Sequence, residues 1–356
     1  MIKSRIETIQ KTLEKNQGLI ITSGANRFYL TGFQSSAGTV FITKEKAYFL
    51  IDFRYFEKAK SVVKELEVFL SVNPLSEVKS LAEKLNVREV FVETFSLSVN
   101  CFKKYEENLT GINVLNSDKF DKVLSKMRSI KSKAELDKIK AAQKLTDDTF
   151  YYILGRIEAG RSEIDVMLDM EFYMRKLGSE GVSFDFIVVS GKNSSLPHGV
   201  PSQNKLKKGD FVTMDFGAVV GGYRSDMTRT VAVGYVTDEQ RLVYDTVLNA
   251  QSQAFKAIKP GVICKSVDKV ARDIIYSAGF KGCFGHGLGH SVGIEIHETP
   301  SFNTSCETVV KEGMIITVEP GIYIENKFGV RIEDMAYITN DGAISITNSK
   351  KELIIL

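Results

Sequence analysis

The chain has 356 residues, 43% of them hydrophobic and 26% charged, and a formal net charge of +3. This is the balance of an ordinary globular protein long enough for two domains, and it gives no case for a nucleic acid or an anionic membrane as partner. No apolar run approaches the ~18 residues of a membrane span, residues 1–10 lack the apolar core of a secretory signal, and the four cysteines stand apart with no CxxC pair, so a cytoplasmic protein without a disulfide framework or thiolate zinc site is expected.

The first ~120 residues read as an α/β unit from periodicity. Ile6, Ile9 and Leu13 mark one helix face, and residues 18–22 open a short apolar strand. Residues 38–42 and 47–52 are strand-like around a Lys44-Glu45-Lys46 turn, 78–85 suggests a helix and 89–92 a strand. Asp52-Phe53-Arg54-Tyr55 is the one polar group of note there, and an ion pair at a strand end accounts for it as well as a function does. A charged stretch, 125–138, separates the halves and reads as the start of one long amphipathic helix. Its core stripe is Leu136, Ile139, Phe150, Ile153, Leu154 and Ile157, and Gly160 is its stop. Ser162 and Asp165 form a weak capping box for a second helix, to about Leu177. A third runs from Asp238 to Ile258, and a fourth ends at Ala278-Gly279. The expected domains are 1–122 and 123–356.

The chemistry-bearing residues fall in the second half. Residues 211–217 read as a buried strand containing Asp215, and a buried carboxylate needs a partner, either a salt bridge or a cation. Gly221-Gly222 is a hairpin signal. With those glycines at the turn, Asp226 falls opposite Gly217, on the sheet face of Asp215, and Gly217 leaves room for a cation. The Gly-rich run 285–293 fails as a dinucleotide fingerprint because His290 stands where the third glycine belongs. His297-Glu298 fails as a zincin helix because Pro300 follows and the second His is missing. His286, His290 and His297 nonetheless cluster among acids, while His198 sits in a loop. Glu319 ends an apolar strand before a turn. Arg331 and Glu333 share parity on another strand, beyond a turn near Asn326-Lys327. Asp215, Asp226, His290, Glu319 and Glu333 are thus four carboxylates and one imidazole with no reactive nucleophile among them. Drawn together they would repel unless a cation held them, and such donors suit a pair of divalent metals, so a two-metal hydrolase is expected.

In this order, M-D-F-G, S-D-M-T-R-T, G-H-G-L-G-H, E-I-H-E, V-E-P-G and R-I-E-D resemble the aminopeptidase P/prolidase branch of the pita-bread metallopeptidases. Y-L-T-G-F at 29–33 and D-F-R-Y at 52–55 resemble that family's N-terminal domain. The resemblance implies an α/β N-terminal domain and an α+β C-terminal domain of curved antiparallel sheet covered by helices. It implies that Asp215 chelates one metal, that Asp226 and Glu333 bridge two, and that His290 and Glu319 complete the second. A bridging hydroxide would attack the peptide bond before proline. His198 and His297 would stabilise the oxyanion and shuttle protons, and His286 would line the proline pocket. Arg331 would recognise substrate or support Glu333. Manganese is the expected metal, with cobalt or zinc suiting the same donors, and a homodimer is the expected assembly. The reading is an Xaa-Pro dipeptidase; an Xaa-Pro aminopeptidase acting on longer peptides is the alternative, since the metal motifs do not distinguish them. Methionine aminopeptidase would not need the N-terminal residues, and creatine amidinohydrolase lacks the full metal set. A metal-free binding module on this fold would have lost ligands, and this chain has lost none.

Overall fold

The computed structural model describes residues 1–356, which divide into Met1–Met127 and Arg128–Leu356. The first unit runs α1 (Ile2–Thr12), β1 (Gln17–Ile21), α2 (Gly24–Thr31), β2 (Thr39–Thr43), β3 (Ala47–Ile51), α3 (Phe53–Val62), β4 (Glu67–Leu70), α4 (Pro74–Lys84), β5 (Glu89–Phe91), α5 (Val99–Asn108) and β6 (Asn113–Leu115), and ends within α6 (Lys119–Ser129). Its six strands form one sheet in the order β4-β3-β2-β1-β5-β6. The β1–β2 and β2–β3 pairs are antiparallel and the others parallel. Every residue of β2 and β3 is buried, which is why both read as continuous apolar runs. Asp52 caps α3, accepting the Arg54 amide at 2.9 Å and pairing with its guanidinium at 2.7 Å. That tetrapeptide is therefore explained by a helix start with an ion pair.

The second unit holds α7 (Lys133–Leu154), α8 (Glu163–Lys176), β7 (Ile187–Ser190), β8 (Phe211–Phe216), β9 (Val219–Val220), β10 (Tyr223–Arg224), β11 (Met227–Ala232), α9 (Asp238–Ala257), α10 (Cys264–Ser277), β12 (Gly289–Ser291), β13 (Glu298–Phe302), β14 (Ile315–Val318), β15 (Gly321–Ile324), β16 (Phe328–Arg331), β17 (Asp334–Thr339) and β18 (Gly342–Ser345). Two antiparallel sheets carry the site, one ordered β11-β8-β7 and one ordered β13-β12-β14-β17-β18. Alternation sets their faces. Val212, Met214 and Phe216 of β8 join Phe150 and Ile153 of α7 and Val166 and Met170 of α8 in one apolar core, leaving Thr213 and Asp215 to the opposite face. Ile316 and Val318 of β14 pack with Val247 of α9 and Ala271 of α10 in the other core, leaving Thr317 on the same side as Glu319.

Two expectations change. The long helix starting at 125 is two helices, because Ser132 and Glu135 form a reciprocal capping box that starts α7 afresh and the Lys131 amide donates instead to the Gly313 carbonyl at 2.8 Å. That helix also stops at Leu154, before Ile157 and Gly160. The strand expected through 329–335 breaks at Ile332-Glu333. β16 pairs with β15 in one ladder and β17 with β14 in another, and the change of partner takes those two residues out of both.

Candidate metal centre

Asp215 reaches its place through the β8–β11 ladder. Phe216 pairs with Met227, Asp215 with Thr228, and the same register continues through Tyr223↔Val220 about a Gly221-Gly222 turn. Asp226 therefore lies opposite Gly217 on the face of Asp215, as its spacing implied. Gly217 does not leave room for a cation, however. A Cβ there would lie 1.9 Å from the Ser225 carbonyl oxygen, so glycine serves the close approach of two backbones. Glu333 sits in the break between β16 and β17, and its amide donates to the Thr228 carbonyl at 3.1 Å. One oxygen each of Asp215, Asp226 and Glu333 lie within 4.8 Å of one another.

His290, on β12, brings in the second group. Its amide donates to Thr317 Oγ1 at 3.0 Å, and Thr317 donates to Glu319 Oε1 at 3.0 Å. The ring Nδ1 lies 3.2 Å from the Ser291 carbonyl. A carbonyl only accepts, so Nδ1 carries the proton and the Nε2 lone pair is free. Nε2 lies 3.4 Å from Glu319 Oε1 and 3.6 Å from Asp226 Oδ2. The structure thus brings all five expected residues to one locus.

Electrostatics indicates what that locus can hold. Ionised carboxylates 4.8 Å apart repel by roughly 3 kcal/mol per pair at an effective dielectric of about 20. Three pairs would cost an amount comparable with the entire stability of a domain, about 5–15 kcal/mol. Burial first, and then the neighbouring carboxylates, push Asp226 and Glu333 well above the usual carboxylate range. Burial pushes Glu319 up to about 7. Asp215 Oδ1 and Glu333 Oε1 are buried and accept no hydrogen bond. Acceptor oxygens left idle at the centre of an oxygen-and-nitrogen donor set fit divalent cations.

Arg331 supports the cluster from behind. Its Nη2 donates to Asp215 Oδ2 at 2.6 Å, its Nε to Thr228 Oγ1 at 3.0 Å, and its Nη1 to Tyr323 Oη at 2.8 Å and the Pro197 carbonyl at 3.1 Å. Thr228 passes its own proton to Glu333 Oε2 at 2.7 Å. Of the two roles expected for Arg331, the geometry matches the supporting one, with Asp215 as its direct partner and Glu333 reached through Thr228.

A cavity of about 860 Å³ opens over the cluster, and His198, His286 and His297 all line it. His286 donates from Nδ1 to the Gly287 carbonyl at 2.7 Å, which leaves Nε2 to accept from Tyr323 at 2.9 Å. Burial lowers its pKa to about 4, so the ring is neutral with both nitrogens taken, and it faces the cavity as an apolar surface. His297 packs edge-on to His290 with ring centroids 4.4 Å apart, and burial lowers its pKa too. The turn before it is held by the buried carboxylate of Glu298, which pairs with Arg128 and Lys131 and accepts the Ile294 amide at 2.9 Å. Thr228, Thr317 and Tyr323 were missed in the sequence, and Glu298 stood out there only beside His297, without a role. The two threonines carried a signal, standing two residues from Asp226 and Glu319 and so on the same strand face. Tyr323 carried none.

Residues 137–340 match the model of metallopeptidase family M24, and residues 5–130 match that of the creatinase/prolidase N-terminal domain. The chain is 42% identical to the uncharacterized peptidase YqhT of Bacillus subtilis, over 95% of this chain and 96% of that one. It is 36% identical to the Xaa-Pro dipeptidase of Pyrococcus furiosus, over 99% of this chain and 100% of the relative. Among solved structures, the Xaa-Pro dipeptidase from Bacillus anthracis superposes with a TM-score of 0.95 at 38% identity, covering 100% of both chains.

Proposed function

The chain belongs to metallopeptidase family M24, with that family's two-domain fold, and on that premise we propose that it is a metal-dependent Xaa-Pro dipeptidase, hydrolysing the peptide bond that precedes proline. The observation that carries the reading is the buried carboxylate cluster with its two idle oxygens. Asp215 would hold one metal, Asp226 and Glu333 would lie between two, and His290 and Glu319 would complete the second. Two bound dications would supply Lewis acidity and a water acidic enough to be deprotonated near neutral pH.

The remaining work falls to the chain's own groups. Arg331 fixes Asp215 and, through Thr228, orients Glu333. The Ser291 carbonyl keeps the His290 lone pair turned to the cluster. His297, neutral because its pKa is lowered, can take up a proton beside the cluster, and His198, on the cavity wall, can donate to a developing oxyanion. The apolar ring of His286 suits a pyrrolidine, which offers no N–H to satisfy. The donor set of oxygen and nitrogen favours manganese over a thiolate-binding metal. The family resemblance supports a homodimer. No helix is long and apolar enough to cross a membrane.

One observation favours the second reading, an aminopeptidase acting on longer Xaa-Pro peptides. Arg331 is the only arginine or lysine lining the cavity, and its guanidinium is committed to protein partners. A free proline carboxylate would have to be met by an imidazole or a metal. The test is a comparison of Xaa-Pro dipeptides with Xaa-Pro-Yaa tripeptides after chelation and manganese loading. Manganese-dependent turnover of dipeptides is expected; turnover confined to tripeptides would move the reading to the aminopeptidase, and no metal-dependent turnover of either would sink both.

A further inference from the structure

His198 stands on a segment, 191–201, that is held by a group with no part in the carboxylate cluster. Glu163 opens α8 and is fully buried. No cation pairs with it; hydrogen bonds alone balance its charge. Oε1 accepts from the Ser190 amide at 2.7 Å, Ser190 Oγ at 3.0 Å, and the side-chain amides of Asn193 and Asn204 at 3.1 Å each. Oε2 accepts from the Ser202 amide at 3.1 Å and Ser202 Oγ at 2.7 Å. Ser190 precedes the segment, while Ser202 and Asn204 follow it. Both ends therefore close on one carboxylate.

The middle is tied to the cluster side. Ser194 Oγ accepts the Gly329 amide at 2.9 Å, and the Pro197 carbonyl accepts from Arg331, whose other nitrogen holds Asp215. His198 follows Pro197 directly, and its side chain is exposed and makes no hydrogen bond within the chain. Nothing attached to the imidazole orients it, so its direction comes from the backbone under it. A buried charge is costly unless fully satisfied, and a satisfied polar hub specifies one geometry where apolar packing would tolerate several.

We propose that Glu163 is a positioning residue for the hydrolysis, setting the path of the 191–201 segment so that His198 is presented over the carboxylate cluster. The proposal rests on the reading of His198 as a group acting on the substrate. It is tested by a double-mutant cycle on the manganese-loaded enzyme, comparing wild type, E163Q, H198A and the double variant for kcat, KM, metal content and melting temperature. In E163Q an NH2 group replaces one oxygen and meets N–H and O–H donors, so one end of the segment is released. The expected result is a loss of about tenfold or more in kcat for E163Q with KM little changed. In the H198A background the same substitution should cost less than about twofold. An equal loss in both backgrounds, or an unchanged kcat in E163Q, overturns the proposal. Should E163Q not fold, N204A takes its place in the cycle. It removes one donor to Glu163 and one to Ser190 Oγ, and its smaller loss must likewise vanish with H198A. Wild-type kcat in H198A alone would remove the reading of His198, and the proposal with it, and that failure is seen in the single variant.

Discussion

Glu319 has its carboxyl pushed up to about 7 by burial, and Asp226 and Glu333 are displaced in the same direction. For acids whose folded pKa lies above the unfolded one, near 4, the folded form binds the extra protons. The associated stability is fully present below pH ~4 and is lost as pH rises through the folded pKa, near 7 for Glu319. The chelated protein is therefore expected to melt at a lower temperature at pH 8 than at pH 6, and E319Q should shrink that difference. Equal melting temperatures, by calorimetry after chelation, would contradict it. Loading with manganese should reverse the trend, since metals compete with protons for the same oxygens. Asp226 allows a sharper test. D226A should abolish hydrolysis while the fold persists, and full activity in that variant would show that the ligands are wrongly assigned.

At the scale of the element, two glycines hold the strands that carry the acids at their spacing. A Cβ at Gly289 would lie 2.0 Å from the Thr317 carbonyl oxygen, and one at Gly217 would lie 1.9 Å from that of Ser225. G289A should push β12 from β14 and break the contact from the His290 amide to Thr317. The expected cost is about 1–3 kcal/mol of stability together with weaker metal binding. Titration of the chelated variant with manganese measures the second effect, and wild-type affinity would refute it. Elements were legible in the sequence where one local rule governed them. The Gly221-Gly222 turn placed Asp226 opposite Gly217 because strand register follows from turn length. Ser162 with Asp165 marked the start of α8, as the reciprocal cap confirms. Elements were illegible where a distant partner decided. Nothing near Ile332 announces that β16 and β17 take different partners, since that depends on β14 and β15. Gly217 reads as space in the sequence because the Ser225 carbonyl that fills it comes from the far side of the hairpin.

Across the whole molecule, every residue assigned to the candidate site lies in Arg128–Leu356. Metal binding adds free energy only to states in which those ligands are assembled. Manganese should therefore slow amide hydrogen exchange in β8, β11, β12, β14 and β17 and leave the sheet of the first unit unchanged, as read by exchange mass spectrometry with and without chelator. Equal gains in both units would argue against a centre confined to the second. The position of Glu333 carries a further consequence. Its amide is bound to Thr228, 105 residues earlier in the chain, and the cluster does not exist until those two segments meet. A chain emerging from the ribosome must present Glu333 to Thr228 before the cluster could hold a metal. Metal loading is thus expected to follow the synthesis of both segments, and the ions abundant in the cell at that moment would weigh on the outcome alongside intrinsic affinity.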